Sequence, residues 1–543
     1  YVVESYLALL SRIRGTPLEK AAGLDAVAEA FVAADVLRGQ SVQQAMAASA
    51  ARAAAGKPEL AALAREEQDV RQERDALYKI LADLLSRPTD QMLPGIVADM
   101  QGRVAALDGR HRELRQTLDQ RFPDYADLVA PRPAKLEQVR AALRPGEALL
   151  SILSTEELTF VWAIPAEGSP SFAAVSVGRR EIDRRVRALR KSLDPPDGDL
   201  DHLPAFDGQI AHRLYTDLLA PVRDGWQGRK HLLVVAGGAL ARLPLGLLLT
   251  ADPMAGGRGL PYARWPWLIR DMAMSQLPSA ASLLTLRRMA PGAADRRAFV
   301  GFGDPDFAGD GARNRPGSSR GLRAIPLPAG IRERALRGEE TQWPRYSEIA
   351  PLPDTRDEIL ALADALKADP KRDVFLGAAA SRENVLSGDL SRRRVIAFAT
   401  HGLLPGELPQ VEQPALALAN PGGGNHGLLT LDDILGLRLD ADWVILSACN
   451  TAAGEGEGAE ALSGLGRAFF YAGGRALLAT HWPVESVSAR KLVVGVFAAM
   501  AREPEITRAE ALRRSILAVM SGSDVYAHPL YWAPYALIGD GGR

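Results

Sequence analysis

Two short apolar runs constrain this chain more than anything else in its 543 residues. Trp443-Val-Ile-Leu-Ser447 passes through Ala448 into Cys449, the only cysteine, and Val395-Ile-Ala-Phe-Ala399 passes through Thr400 into His401 and Gly402. Continuous apolar runs of this length read as strands buried on both faces, the mark of a parallel sheet. In such sheets chemistry gathers outside the carboxyl ends of the strands. Two neighbouring strands of this kind deliver an imidazole and a thiol to one crevice. A thiol becomes a nucleophile when a nearby base takes its proton, and acyl chemistry needs N–H donors for the oxyanion. Gly402, directly after the histidine, lets the backbone approach a substrate carbonyl closely. The pair reads as a catalytic dyad, with His401 the base and Cys449 the nucleophile. Their backbone setting makes the N–H groups of Gly402 and Cys449 the expected oxyanion hole.

The order and spacing, histidine about 50 residues before cysteine, is that of caspases, although Ser447 and Thr451 stand where caspases carry Gln and Gly. The local residues are instead similar to the CHAT family, caspase-like domains of clan CD that are related to separases and follow helical repeats in many bacterial proteins. The matching pieces run in the family's order: Val300-Gly-Phe-Gly-Asp-Pro-Asp-Phe307, Leu352-Pro-Asp-Thr-Arg-Asp-Glu358, Phe398-Ala-Thr-His-Gly402, Leu446-Ser-Ala-Cys-Asn-Thr451, Gly458-Ala-Glu-Ala-Leu462 and Ala479-Thr-His-Trp-Pro-Val484. The resemblance covers roughly residues 140–540. It implies a cysteine endopeptidase with a six-stranded, mostly parallel caspase-like sheet. It also implies a site that works without a third side chain, a backbone carbonyl orienting the imidazole.

Composition narrows the alternatives. Sixty-five basic against 66 acidic residues leave a net charge of −1, which argues against nucleic acid as the main partner. One cysteine excludes an internal disulfide and fits a reducing cytoplasm. No apolar run approaches the ~20 residues of a membrane span, and the first residues do not read as a signal peptide. The chain opens on Tyr1 rather than Met and reads as part of something longer. No cofactor is expected: Gly301-x-Gly303 lacks the third glycine of a dinucleotide loop, there is no P-loop lysine, and His and Cys are not grouped at metal-ligand spacing.

Three segments follow. Residues 1–135 read as helical: Leu63, Val70, Leu77 and Leu84 recur every seven residues, widened by Ile80 and Leu81, and Val97, Met100, Val104, Leu107, Leu114 and Leu118 form a second stripe after Pro88–Pro94. Two such helices make an αα-hairpin. It has no strict 34-residue repeat, so an array of the tetratricopeptide type is expected upstream of it. Residues 136–290 carry strands at Ala148–Leu153, Leu158–Ile164 and Leu232–Ala236 but no cysteine, and by resemblance form a degenerate caspase-like half. Residues 291–543 carry the motifs, with strands expected at Ala298–Gly301, Val374–Leu376, Val395–Ala399, Val444–Ser447, Ala476–Thr480 and Tyr535–Ile538 and helices at Thr355–Leu366 and Leu462–Tyr471. The Arg-, Gly- and Pro-rich stretch at 306–347 reads as a loop beside the cleft.

Specificity is less legible. His481 and Trp482 end the strand after the cysteine's and are expected to overhang the crevice, Trp482 as a wall of a side-chain pocket. Asp354, Asp432 and Asp433 would make that pocket acidic, for Arg or Lys in the substrate, against an apolar or mixed pocket. Asp432 and Asp433 equally suit the first turn of a helix after Thr430, where the dipole favours negative charge. The expected partners are a protein substrate and a regulatory protein acting through the N-terminal helices. The competing class is a catalytically degenerate scaffold that signals by binding.

Overall fold

The computed structural model describes residues 2–37, 58–85, 94–121, 133–193, 200, 202–255, 261–289, 291–308, 346–403, 408, 411, 413–420, 427–448 and 464–542. Cys449, the Gly458–Leu462 motif and most of the stretch at 306–347 lie outside them. Along the chain run β1 (Glu147–Ser154), β2 (Thr159–Pro165), β3 (Ser171–Val175), β4 (His231–Ala236), β5 (Ala273–Gln276), β6 (Arg297–Pro305), β7 (Val374–Gly377), β8 (Arg393–Ala399), β9 (Gly402–Leu403), β10 (Ala415–Ala417), β11 (Leu428–Thr430), β12 (Trp443–Ser447), β13 (Ala476–Thr480) and β14 (Tyr535–Gly539). Eleven of them form one sheet in the order β3-β2-β1-β4-β5-β14-β13-β12-β8-β6-β7. The other three form a small antiparallel sheet, β11-β10-β9.

The apolar runs explain the large sheet. In β8, Val395, Ala397 and Ala399 face one core while Ile396 and Phe398 face another; in β12, Trp443 and Ile445 divide from Val444 and Leu446 in the same way. Both faces are therefore dry, and each must be covered by helices. One face takes Arg179–Arg190, Asp354–Ala365, Ser486–Arg502 and Arg508–Met520; the other takes Val2–Ile13, Ala26–Leu37, Ala280–Arg288 and Gly464–Ala472. The fold is thus the α/β type expected, a large and mostly parallel sheet between two helical layers. All six strands expected in residues 291–543 are present, each within four residues of its expected ends. They are contiguous in the sheet, from β14 to β7. The strands of residues 147–276 continue the same sheet, joined where Ile538 of β14 pairs with Gln276 of β5.

Three parts of the sheet were not visible in the sequence: the four-residue β5, the edge strand β3 and the small β9–β11 sheet. β4 begins one residue ahead of the expected Leu232, at His231. The helical hairpin is formed by Pro58–Leu85 and Pro94–Arg121, with Leu77, Leu81, Val104, Leu114 and Leu118 buried between them. Ile80 does not join that stripe. It is 47% exposed, because it lies three residues past Leu77 on the flank where Leu81 already fills the seam. The hairpin is tied to the α/β body by the Arg65 guanidinium on the Gly436 carbonyl at 2.9 Å and the Tyr471 hydroxyl on Asp69 at 3.1 Å.

Both cores mix residues from the two α/β series: Ile152 and Val234 share a cluster with Ile445 and Trp532, and Leu149 and Val235 share the other with Phe398 and Leu446. Cutting the chain between the series would expose that surface at ~25 cal/mol per Å². We therefore predict that residues 291–543 expressed alone are insoluble or unfolded by circular dichroism, whereas the full chain is cooperative.

A buried charge cluster locks the junction. Glu147, 5% exposed, accepts from the Arg287 guanidinium at 2.9 Å and from the Arg144 main-chain N–H at 2.8 Å, with His231 Nδ1 at 3.5 Å. Arg287 also reaches Asp540, just past β14, at 3.4 Å. Burial alone would raise the Glu147 carboxyl, but His231, Arg287 and the backbone donor outweigh it and bring it down to about 2. A carboxylate depressed on folding contributes stability that is present above its unfolded pKa of ~4.3 and is lost as pH falls through the folded value. Chemical denaturation of the wild type should thus lose on the order of 3 kcal/mol between pH ~5 and ~2 through this group. Glu147→Gln should show a shallower acid slope over the same window.

Candidate functional site

His401 stands just beyond the carboxyl end of β8 and is fully buried. Its main chain is fixed on both sides. The carbonyl accepts from Ala417 N–H at 2.9 Å, and the hydroxyl of Thr400 before it donates to the Ala417 carbonyl. Gly402 opens β9 and pairs with Leu416 of β10. The ring is set by two contacts. Nε2 is 2.8 Å from the Ala350 carbonyl, and Phe307 packs 5.6 Å away, centroid to centroid. A carbonyl can only accept, so Nε2 is the donor here, and in the neutral ring Nδ1 then carries the lone pair. A contact of the imidazole with a backbone carbonyl is the kind that the family resemblance implies. Nothing in the sequence could mark Ala350 for it, since the group belongs to the main chain.

Next to β8 runs β12 in parallel register, Trp443 opposite Val395 and Ser447 opposite Ala399. His401 and Cys449 are each the second residue beyond that last registered pair. Cys449 and its N–H lie outside the described residues. Hydroxyl groups stitch the strand ends beneath them: Ser447 Oγ lies 2.6 Å from the Tyr535 hydroxyl, and Thr480 Oγ1 donates to the Ala448 carbonyl. These links were missed in the sequence, although Ser and Thr as last residues of apolar strands were the available signal.

The residues expected to shape specificity separate. Trp482 lies within the core instead of overhanging a crevice. It is fully buried, its indole N–H donates to the Leu530 carbonyl at 3.1 Å, and the Arg190 guanidinium lies 5.5 Å over its ring. His481 is also fully buried. Arg190 donates to its carbonyl at 2.7 Å, and its Nε2 is 3.4 Å from the Gln276 amide. Asp433 proves to be a helix-start residue, boxed with Thr430 at the head of Leu431–Gly436 and paired with Arg382 at 2.5 Å. Burial raises its carboxyl, but Arg382 and Thr430 more than reverse this, so it stays charged. Asp432 is exposed and accepts from Gln413 at 3.0 Å. Asp354, half-buried, is the first residue of Asp354–Ala365. The three carboxylates are therefore not alike, and the charge of Asp433 is paired within the fold.

Burial, with Arg190 adding to it, lowers the His481 imidazole to about 3. A base in that state is neutral throughout the working range and has no proton to exchange there. NMR of ring-labelled histidine should show no titration of His481 between pH 8 and ~4; a midpoint near ~6.5, the ordinary value, would contradict its burial.

Among the described residues no helix is long and apolar enough to cross a membrane. Comparison with known proteins gives a consistent picture. Tetratricopeptide repeat protein 28 of Mus musculus is 25% identical over 245 residues, taking in 39% of this chain and 9% of that protein. Its Homo sapiens counterpart is 22% identical over 407 residues, 66% of this chain and 14% of that protein. The chain therefore spans only a small part of the length of these curated relatives. Among solved structures, the Saccharomyces cerevisiae separase–securin complex aligns with a TM-score of 0.41 at 9% identity, over 87% of this chain and 37% of that one. The Arg-specific cysteine proteinase gingipain R aligns with a TM-score of 0.31 at 10% identity, over 67% and 74%. The family model of the CHAT domain matches residues 208–540, from ahead of β4 to the end of β14 and including every motif noted above. On that match, over more than half of its length, the chain belongs to the CHAT domain family.

Proposed function

We propose that the chain is a cysteine endopeptidase of the caspase-like type, acting in a reducing cytoplasm on a protein substrate. The observation that carries this reading is the register of β8 and β12, which ends on Ala399 and Ser447 and leaves His401 and Cys449 at equal distances past it. The Ala350 carbonyl supports it further, because it commits Nε2–H and leaves Nδ1 as the proton acceptor.

In this reading Nδ1 takes the thiol proton and the sulfur attacks the carbonyl carbon of the scissile peptide bond. The oxyanion is met by the N–H groups of Gly402 and Cys449; losing one such donor costs ~10²–10³ in rate. The imidazolium then gives its proton to the leaving amine as the C–N bond breaks, leaving a thioester. Water, losing a proton to the same nitrogen, hydrolyses the thioester and restores the thiol. No other side chain is assigned a proton. For the residue before the scissile bond, Asp354 and Asp432 remain our acidic candidates and Asp433 is released to Arg382. We assign a regulatory protein partner to the N-terminal helices.

A second reading, a binding scaffold without activity, is kept in view by the repeat-protein names of the curated relatives. Cleavage of a mixed peptide library by the full chain, followed by mass spectrometry, separates the two. Cys449→Ala and His401→Ala should each abolish the cleavage seen with wild type, with melting temperatures preserved for the small thiol replacement. Cleavage surviving in either variant at the wild-type rate would remove the dyad, and a wild type that cuts nothing, with or without partner, would favour the scaffold.

A further inference from the structure

The carbonyl that holds His401 is carried by a loop, and the loop has an anchor. Tyr346, 4% exposed, donates its hydroxyl to the Leu418 carbonyl at 2.6 Å, just past β10. Its ring meets Phe307 edge-on at 6.1 Å, and Phe307 in turn packs on His401. Ile349 is buried in the same cluster. On the far side of Ala350, the Thr355 hydroxyl donates to the Leu352 carbonyl at 2.7 Å and accepts from Asp304 N–H at 2.7 Å. Ala350 thus hangs between two fixed points, a tyrosine bonded just past β10 of the small sheet and a threonine bonded to Asp304 near the end of β6. Gly427 makes room for the first: a Cβ there would stand 2.6 Å from both the Tyr346 hydroxyl oxygen and the Leu418 carbonyl.

We propose that Tyr346 is a positioning residue for the dyad: its hydroxyl bond to Leu418 holds the Ala350 carbonyl against Nε2 of His401 and so keeps Nδ1 aimed as the proton acceptor. This rests on the dyad reading above. Apolar packing of a ring is non-directional, whereas a hydrogen bond adds a preferred distance and angle that fix the register of the segment. An imidazole that loses its carbonyl can rotate, and with it goes the base that keeps the thiol ionised. Burial pushes the phenol well above its ordinary value. The clamp itself therefore does not titrate in the working range, and any change in pH behaviour reports the dyad.

Because Cys449 is the only thiol, its alkylation by iodoacetamide, followed by intact mass against pH, reads the site without a known substrate. An activated thiol titrates below the ordinary ~8.5. Tyr346→Phe keeps the ring and loses the bond. It should move the alkylation midpoint upward and slow labelling at pH 7 by roughly threefold to tenfold, with an unchanged melting temperature. Should that variant melt lower, Gly427→Ala sets a methyl 2.6 Å from both atoms of the same bond and 2.9 Å from the ring carbon that bears the hydroxyl, and should give the same upward move. A wild-type profile in these variants, alongside a shifted profile in His401→Ala, overturns the positioning role and leaves the dyad standing. A wild-type profile in His401→Ala overturns the dyad, and the proposal falls with it.

Discussion

The parallel pairing of β8 with β12 is the constraint on which the rest depends. Five registered pairs, from Val395–Trp443 to Ala399–Ser447, set two apolar runs side by side with both faces dry. Parallel strands of this kind cannot turn back directly, so each needs a crossover, and crossovers supply Asp354–Ala365, between β6 and β7, on one face and Gly464–Ala472, between β12 and β13, on the other. The same register decides where each chain emerges. Ala399 and Ser447 end their strands side by side at one edge, and His401 follows two residues past the first; in the sequence Cys449 follows two residues past the second. Shifting either strand by one residue would exchange its two apolar faces, in β8 setting Ile396 and Phe398 where Val395, Ala397 and Ala399 now pack, so the packing that makes the core also fixes the edge.

Around that edge the chain spends polar groups in an ordered way. Thr400, Ser447, Thr480 and Tyr535 are buried: Thr400 bonds the end of β8 to β10, Thr480 bonds β13 to the residue after β12, and Ser447 of β12 reaches Tyr535 of β14. A buried hydroxyl without a partner costs ~1–3 kcal/mol, so such links are tolerated only where they are complete. They make the edge rigid while the imidazole is governed from outside the sheet, by Ala350. The small β9–β11 sheet matters for this reason. It starts at Gly402, takes the His401 carbonyl through Ala417 and takes Tyr346 through Leu418, so it connects the imidazole's backbone to the loop that orients its ring.

Much of this was legible in the sequence, and the exceptions have physical causes. The buried strands announced themselves because a strand covered on both faces is a continuous apolar run. β3 and β5 did not: one is an edge strand with only Phe172 buried, the other is four residues long. Trp482 was misplaced because position after a strand does not say which way a large ring turns, and an indole with a carbonyl in reach is more stable in the core. Asp433 was read as one of two equivalent carboxylates because Arg382, 51 residues earlier, carries no local sign of pairing with it. Ala350 and Tyr346 escaped notice for a further reason: one acts through its main chain and the other through a contact 72 residues away.

The central claim is that the single thiol is ionised by His401 at the shared edge of β8 and β12. Active-site labelling with a set of peptidyl acyloxymethyl ketones bearing basic, acidic and apolar residues tests it most directly, read by intact mass and peptide mapping. The account predicts one adduct per chain, on Cys449, formed far faster than on free cysteine and lost in His401→Ala. Labelling no faster than free cysteine with any of the set, or labelling that persists unchanged without His401, would contradict it.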